Sequence, residues 1–577
     1  MQVADTDFLQ IFSLDEEQRR ELLASRRSER LVTLSRFLNR SLNELVAELG
    51  RFSGSDVVDP SRFDLKGLQG IPLRILHEFH CVPILPVAEA LDDESEYLEA
   101  LPPIEEREDL VLATAWPVDV VMEDWVYAAC GKRARWVIAH PERISNFITQ
   151  NLGVGAESLD DSFDMEAEAA VATVEEEEDE DAAIIRFVNE VFNQAISGGA
   201  TDIHFEPMED HLRIRYRIDG LLVPVPVPEN LRRFQDAIVS RLKIMAKLNI
   251  SERRLPQDGR INHRVGDTTL DIRLSTMPVM YGESISLRLL NKKNKPLSMA
   301  QLGMSDRDEA VVERVLNLPH GIILVTGPTG SGKSTSLNAF IRSINSEDRR
   351  IITVEDPIEY EVPGVNQIQV KPDIGFGFPE ALRHVLRQDP NVIMVGEIRD
   401  SETADIAVRA SLTGHLVFST LHTNDSAGAI TRLIDMGIEP FLIASSVEMV
   451  IAQRLLRRLC PSCLRVRATE PQELQDALKV LDLPSSLANG ITELPESPGC
   501  ETCRGIGYKG RIGIYEILRV TEKMHDPIVR REAAPVIRDI GLKAGMVTLG
   551  RSGWDLVGKR LTTLEEVVRT ISVKEGE

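Results

Sequence analysis

The chain has 577 residues, 43% of them hydrophobic, and a formal net charge of −25. That length is enough for about three or four domains with packed cores, and no run of eighteen apolar residues offers a membrane-spanning helix. The acidic balance argues against a nucleic-acid scaffold, which needs a positive surface, although a local basic groove stays open.

In chain order, the first residues, "MQVADTDFLQIF", lack the basic start and apolar stretch of a secretory signal. The expectation is a soluble, multidomain, cytoplasmic protein. Residues up to about 60 read as helical, with Leu42, Leu45 and Leu49 at i, i+3 and i+7 on one apolar face. "DLVLATAWPVD" predicts a strand into a turn, and "WVIAHPERISNFITQN" a strand and then a helix from about Pro141. Residues 1–150 thus form a small α/β adaptor domain without catalytic spacing. The run "EEEEDED" at Glu175–Asp181 repels itself, so residues 151–181 are expected to be a flexible acidic linker.

Residues 182–295 alternate with period two. In "LRIRYRID" the apolar set is Leu212, Ile214, Tyr216 and Ile218, opposed by Arg213, Arg215, Arg217 and Asp219. "TLDIRLS" and "SISLRLL" repeat the pattern with Arg273 and Arg288 on the polar side. This predicts an antiparallel sheet with one buried and one arginine-bearing face, any single arginine being explicable as a solvated side chain. From Gly321 onward, short β-branched runs alternate with helical segments, the pattern of a parallel sheet covered by helices.

The chemistry concentrates there. Gly327, Pro328, Thr329, Gly330, Ser331, Gly332, Lys333 and Ser334, followed by Thr335, fit G-x-x-x-x-G-K-[S/T] after a strand. The glycines let backbone N–H groups close on phosphate oxygens, Lys333 supplies a charge near the β/γ phosphates, and Ser334 offers a hydroxyl to Mg²⁺. The ligand is ATP. A P-loop ATPase also needs a carboxylate at another strand's end, and "NVIMVGEIRD" supplies Glu397 behind Gly396, as the residue that positions or deprotonates the attacking water. Glu355, in "TVEDPIEY", is placed at a further strand's carboxyl end, where α/β sheets hold ligands. His415 and His422 bracket "LVFSTL", a strand that could sense the γ-phosphate. Cys460, Cys463, Cys500 and Cys503 form two C-x-x-C pairs, four thiolates suited to closed, structural Zn²⁺ in a reducing compartment.

Taken together, "GPTGSGKSTS", "TVEDPIEY", "LRQDPNVIMVGEIRD", "SLTGHLVFSTLHTNDS", "ATDIHFEP", "RYRIDG", "RLPQDGR" and "RLLRRLCPSC…CETCRGIGYKGRIGIYE" resemble the ATPase superfamily of type II secretion and type IV pilus assembly. The nearer likeness is to its type II secretion branch, and it runs from about residue 185 to 570. The resemblance implies a PAS-like α+β domain at 182–295, a RecA-like core at 296–455, a tetracysteine zinc module at 456–512 and a helical subdomain at 513–577. It implies a homohexameric cytoplasmic ATPase, peripheral to the inner membrane, that drives pseudopilus assembly. Its implied partners are the cytoplasmic domain of a platform protein of the general secretion pathway protein L type and a platform protein of the F type, with residues 1–150 as docking domain and no nucleic acid. Arg273, Arg288, Arg432 and Arg511 match family arginines that serve hydrolysis, the first two by swinging onto the nucleotide phosphates. "RLVTLSRFLNRSLNELVAEL" only weakly echoes the R-L-G-type repeat that binds cyclic dinucleotides, so no such binding is expected. A pilus-assembly or DNA-uptake ATPase, and a nucleic-acid translocase, are the competing readings.

Overall fold

The computed structural model describes residues 8–572, apart from 10, 13, 26, 69–70, 72–74, 77–78, 86–109, 153–174, 266–267 and 291–296. It divides into two units, Met1–Leu290 and Asn291–Glu577.

The first unit begins with helices Glu16–Ala24, Arg27–Leu38 and Leu42–Ser53. Ser41 caps the third by accepting from the Glu44 amide, and Gly54 ends it in the left-handed conformation, so both helix ends find partners. Leu45 and Leu49 are fully buried and Leu42 packs against the same cluster, as their spacing predicts. Then come β1 (Cys81–Pro83), β2 (Leu110–Thr114) and β3 (Ala134–Ile138), which form a sheet in that order. Helix Val120–Cys130 joins β2 to its parallel neighbour β3, and helix Pro141–Leu152 follows at the expected proline.

Residues 153–174 of the expected acidic linker lie outside the described residues. The remainder corrects the expectation: the backbone of Glu175–Asp181 begins the helix Glu175–Ser197. Like charges repel one another, but at a helix N-terminus they also meet the positive end of the macrodipole. The acidic run there opens a helix instead of marking a linker.

That helix contributes Phe187, Val191 and Phe192 to the core of the next sheet. Its strands are β4 (Ala200–Pro207), β5 (Leu212–Ile218), β6 (Leu221–Val225), β7 (Gln257–Val265), β8 (Thr268–Val279) and β9 (Gly282–Leu290). They run in the order β6-β5-β4-β9-β8-β7, antiparallel throughout. Leu212, Ile214 and Tyr216 are buried, while Ile218, at the strand end, is only partly so. Arg273 stands opposite Arg288 in register, and Arg288 opposite Asp202. Arg288 Nε donates to Asp202 Oδ1 at 3.0 Å. Arg260 on β7 continues the same row beyond Arg273, so one face carries three neighbouring guanidiniums.

The second unit is built on β10 (Gly321–Thr326), β11 (Ile351–Glu355), β12 (Asn366–Gln369), β13 (Val392–Val395), β14 (Leu416–Leu421) and β15 (Val447–Leu459). A hairpin of β16 (Arg465–Ala468) and β17 (Glu493–Glu496) follows, and then β18 (Tyr508–Arg519). The main sheet runs β12-β11-β13-β14-β10-β15-β18, parallel except for the antiparallel edge strand β18. Every residue of β10, β13 and β14 is buried, as strands covered on both faces require. The expected boundaries at 455/456 and 512/513 cut through β15 and β18, which are continuous members of this sheet. The tetracysteine segment is an excursion between those two strands.

Candidate nucleotide site and metal centre

In a parallel sheet the carboxyl ends of the strands share one edge, and β10, β11, β13 and β14 bring Gly327, Glu355, Glu397 and His422 to it. The loop after β10 is shaped by its glycines. Gly327, Gly330 and Gly332 all have positive φ. A Cβ at Gly327 would lie 2.5 Å from the Gln453 carbonyl oxygen and 2.6 Å from Ser331 Oγ. A side chain there would collide with β15 and with the loop itself. The loop feeds helix Lys333–Ile344, so Ser334 and Thr335 lie in the first turn, where free backbone N–H groups and the helix dipole favour an anion. Lys333 Nζ donates to the carbonyls of Gly327 at 2.8 Å and Pro328 at 3.0 Å, curled over the loop it serves. The residues fit a nucleotide polyphosphate.

Gly396 is held between strands. Its N–H donates to Val354 O at 2.8 Å, and its carbonyl accepts from Thr420 Oγ1 at 2.8 Å. A Cβ there would stand 3.3 Å from Val354 O, so the packing leaves little room for the aspartate that many P-loop enzymes carry at this point. Glu397 follows immediately. Its carboxylate is paired with Arg399 and lies 3.5 Å from His422 Nε2. Glu355 accepts from Thr353 Oγ1 at 2.6 Å and Gln367 Nε2 at 2.9 Å. Burial raises the Glu355 pKa against the pull of those two donors.

That direction makes a prediction. A carboxyl whose folded pKa is raised adds stability at low pH and loses it as pH climbs through the folded value. A glutamine amide oxygen in its place could accept the same two hydrogen bonds without a charge. Glu355→Gln should therefore match the parent in thermal melting at pH 5 and gain on it by pH 8. A variant that loses ground as pH rises would contradict the assignment.

The two histidines part company. His422 lies beside Glu397, whereas His415 precedes β14 at the opposite, amino edge, its Nδ1 2.9 Å from Ala410 O. Six residues of strand span about 20 Å, so His415 is not brought to the site. Arg432 is exposed on helix Ser426–Asp435, and Arg511 is exposed on β18 opposite Arg457. Sequence reasoning missed Arg399, Gln453 and Arg454. Arg399 could have been found from its i+2 spacing to Glu397. The other two, just before and within "RLLRRLC", carry no spacing that points to the site.

The four cysteines meet as expected. Their sulfur atoms all lie within 4.8 Å of one another. Cys460–Cys500 and Cys463–Cys503 are 3.8 Å apart and Cys500–Cys503 3.7 Å. A tetrahedron with Zn–S bonds of about 2.3 Å has edges of about 3.8 Å. The backbone adds amide donors: Cys500 N and Gly507 N both donate to Cys503 Sγ, at 3.1 and 3.2 Å. Such donors stabilise thiolate. The four residues could hold a metal ion, and with all four positions filled by sulfur they leave no place for substrate.

A glycine-shaped phosphate loop, its lysine, and a carboxylate two residues past another parallel strand of the same sheet define a P-loop ATPase. A model of the family described as "Type II/IV secretion system protein" matches residues 177–569. The chain belongs to that family, and is an ATP-hydrolysing secretion ATPase. It is 48% identical over 392 residues to type II secretion system protein E of Dickeya dadantii, covering 68% of this chain and 76% of that one. It is 47% identical over 417 residues to type II secretion system ATPase E of Vibrio cholerae, covering 72% and 80%. It is also 41% identical over 471 residues to the type IV pilus assembly ATPase PilB of Myxococcus xanthus, covering 80% and 82%. Among the described residues no helix is long and apolar enough to cross a membrane.

Proposed function

We propose that this chain hydrolyses ATP·Mg²⁺ as a homohexamer to power pseudopilus assembly by a type II secretion system. The observation that carries the reading is that β10 and β13, one strand apart in the parallel sheet, deliver the P-loop and Glu397 to the same carboxyl edge. Lys333 neutralises the β/γ phosphates, Ser334 binds Mg²⁺ with Glu355 nearby, and the nine residues Gly327–Thr335 cradle the nucleotide. Glu397 activates water and His422 senses the γ-phosphate. Arg273 and Arg288, on the polar face of the PAS-like sheet domain, oppose developing phosphate charge, and Arg432 and Arg511 assist from the core unit. The tetracysteine centre holds structural Zn²⁺.

The α/β segment at 1–150 is the adaptor, docking on the cytoplasmic domain of an L-type platform protein while an F-type protein receives the motion. This places the enzyme in the cytoplasm, peripheral to the inner membrane through its partners. Pilus assembly is the second reading, favoured by the longer match to the pilus relative, over 471 residues. The test is a deletion of residues 1–150. Binding to a purified L-type cytoplasmic domain and secretion in a complemented null strain should both be lost, with Lys333-dependent basal ATPase retained. Full-affinity platform binding by the truncated chain would sink the docking assignment. Rescue of piliation but not of secretion would select the second reading.

A further inference from the structure

β15 runs beside the P-loop strand, with Ala452 opposite Thr326, so the next two residues accompany the loop as it leaves the sheet. Both are buried, Gln453 to 1% and Arg454 to 8% exposure. Gln453 Oε1 accepts from Ser336 Oγ, in the helix that follows the P-loop, at 2.8 Å. Arg454 Nη1 donates to Gln453 O at 3.1 Å and stands 3.1 Å from where a Cβ on Gly327 would be. Its other nitrogen, Nη2, donates to Asn424 Oδ1 at 2.8 Å and Asn424 O at 3.1 Å. Asn424 lies two residues past His422, in the loop leaving β14.

The sheet order β14-β10-β15 explains the reach. One planar guanidinium spans from one neighbour of the P-loop strand to the other, across the entry of the phosphate loop. The same two loops are also joined by Thr326 and Thr423, whose hydroxyls are 2.6 Å apart. Arg454 adds a second link one residue further along each loop, packing against Gly327 and donating to Asn424. A fork with donors in fixed directions sets a distance between two groups, which the single point charge of a lysine does not.

We propose that Arg454 is a positioning residue for hydrolysis. It fixes the spacing between the P-loop and the loop bearing His422, and so holds the Glu397–His422 pair in register with the γ-phosphate. The proposal rests on the reading of Glu397 as the water-activating residue.

The experiment uses the full-length chain carrying Arg454→Lys, Asn424→Ala, the two together, or Glu397→Gln. Binding is titrated with a fluorescent ATP analogue, turnover is followed by phosphate release, and folding by thermal melting. Asn424 is exposed, so its truncation leaves the core intact. Arg454→Lys and Asn424→Ala should each bind the analogue within about twofold of the parent and keep its KM. Their kcat should fall about tenfold or more, the scale that a small misplacement of reacting groups costs. The double variant should fall no further than the worse single one, because both break one bridge. Parental kcat in Asn424→Ala overturns the proposal, as does an equal loss of binding and turnover in Arg454→Lys with a lowered melting temperature. If Arg454→Lys does not fold, Asn424→Ala decides alone. Normal turnover in Glu397→Gln would instead overturn the underlying reading of the site, and is scored separately.

Discussion

Glu397→Gln should bind ATP within about twofold of the parent and hydrolyse it about 10²–10⁴ times more slowly, the usual worth of a positioned general base. The substitution is nearly isosteric. The amide oxygen can still accept from Arg399, so the loop after β13 should keep its shape. What disappears is the ability to take a proton from water. Lys333→Ala should behave in the opposite sense, losing the nucleotide itself and secretion with it, because the phosphate cradle loses its only lysine. Analogue titration beside phosphate-release kinetics separates the two. Normal turnover in Glu397→Gln would mean that another group activates water, and Glu355 would be the next to test. Unchanged nucleotide affinity in Lys333→Ala would remove the P-loop assignment.

The second large effect is expected at the cysteine centre. Protein purified under reducing conditions should contain one zinc per chain by elemental analysis, and Cys460→Ser should contain none. Structural zinc sites contribute on the order of 10 kcal/mol of folding free energy, and Cys460 is fully buried. The loss should be local in a particular way. Helix Pro471–Val480 is also held by an apolar cluster in which Leu474 and Leu478 meet Trp554 and Val567. Hydrogen exchange in the variant should therefore rise sharply at 460–469 and 493–507 while Leu474–Leu478 stays protected. Metal-free parent with full protection across the tetrad would show the cysteines to be a hydrogen-bonded cluster only.

The parts of this architecture that could be read from the chain are those written in consecutive residues. The P-loop glycines, the alternation of Leu212, Ile214 and Tyr216, and the helical spacing of Leu45 and Leu49 each encode local geometry. What could not be read depends on residues far apart. His415 and His422 look equivalent in sequence, and only the direction of β14 sends them to opposite edges of the sheet. The pairing of β15 with β18 is hidden by the cysteine segment between them, so its two halves read as parts of different domains. The acidic run at Glu175 carries two opposed signals, repulsion and a helix-dipole gain, and its charge pattern alone does not rank them. Arg454 escaped notice because its partner Asn424 and its neighbour Gly327 are set by sheet order and not by any motif.

The placement of β18 has a consequence for how the protein is made. Synthesis delivers β10 to β15 first, and the outer edge of β15 then waits for a partner about fifty to sixty residues downstream. At about 5–20 residues per second that interval is roughly 3–12 s. Throughout it, a thirteen-residue strand presents unpaired N–H and C=O groups, the template on which nascent chains misassociate. An ion held by both cysteine pairs would draw Tyr508 back to Leu459, the first rung of the missing ladder. If the tetrad binds zinc as proposed, zinc supply during translation should govern how much of the newly made chain escapes aggregation.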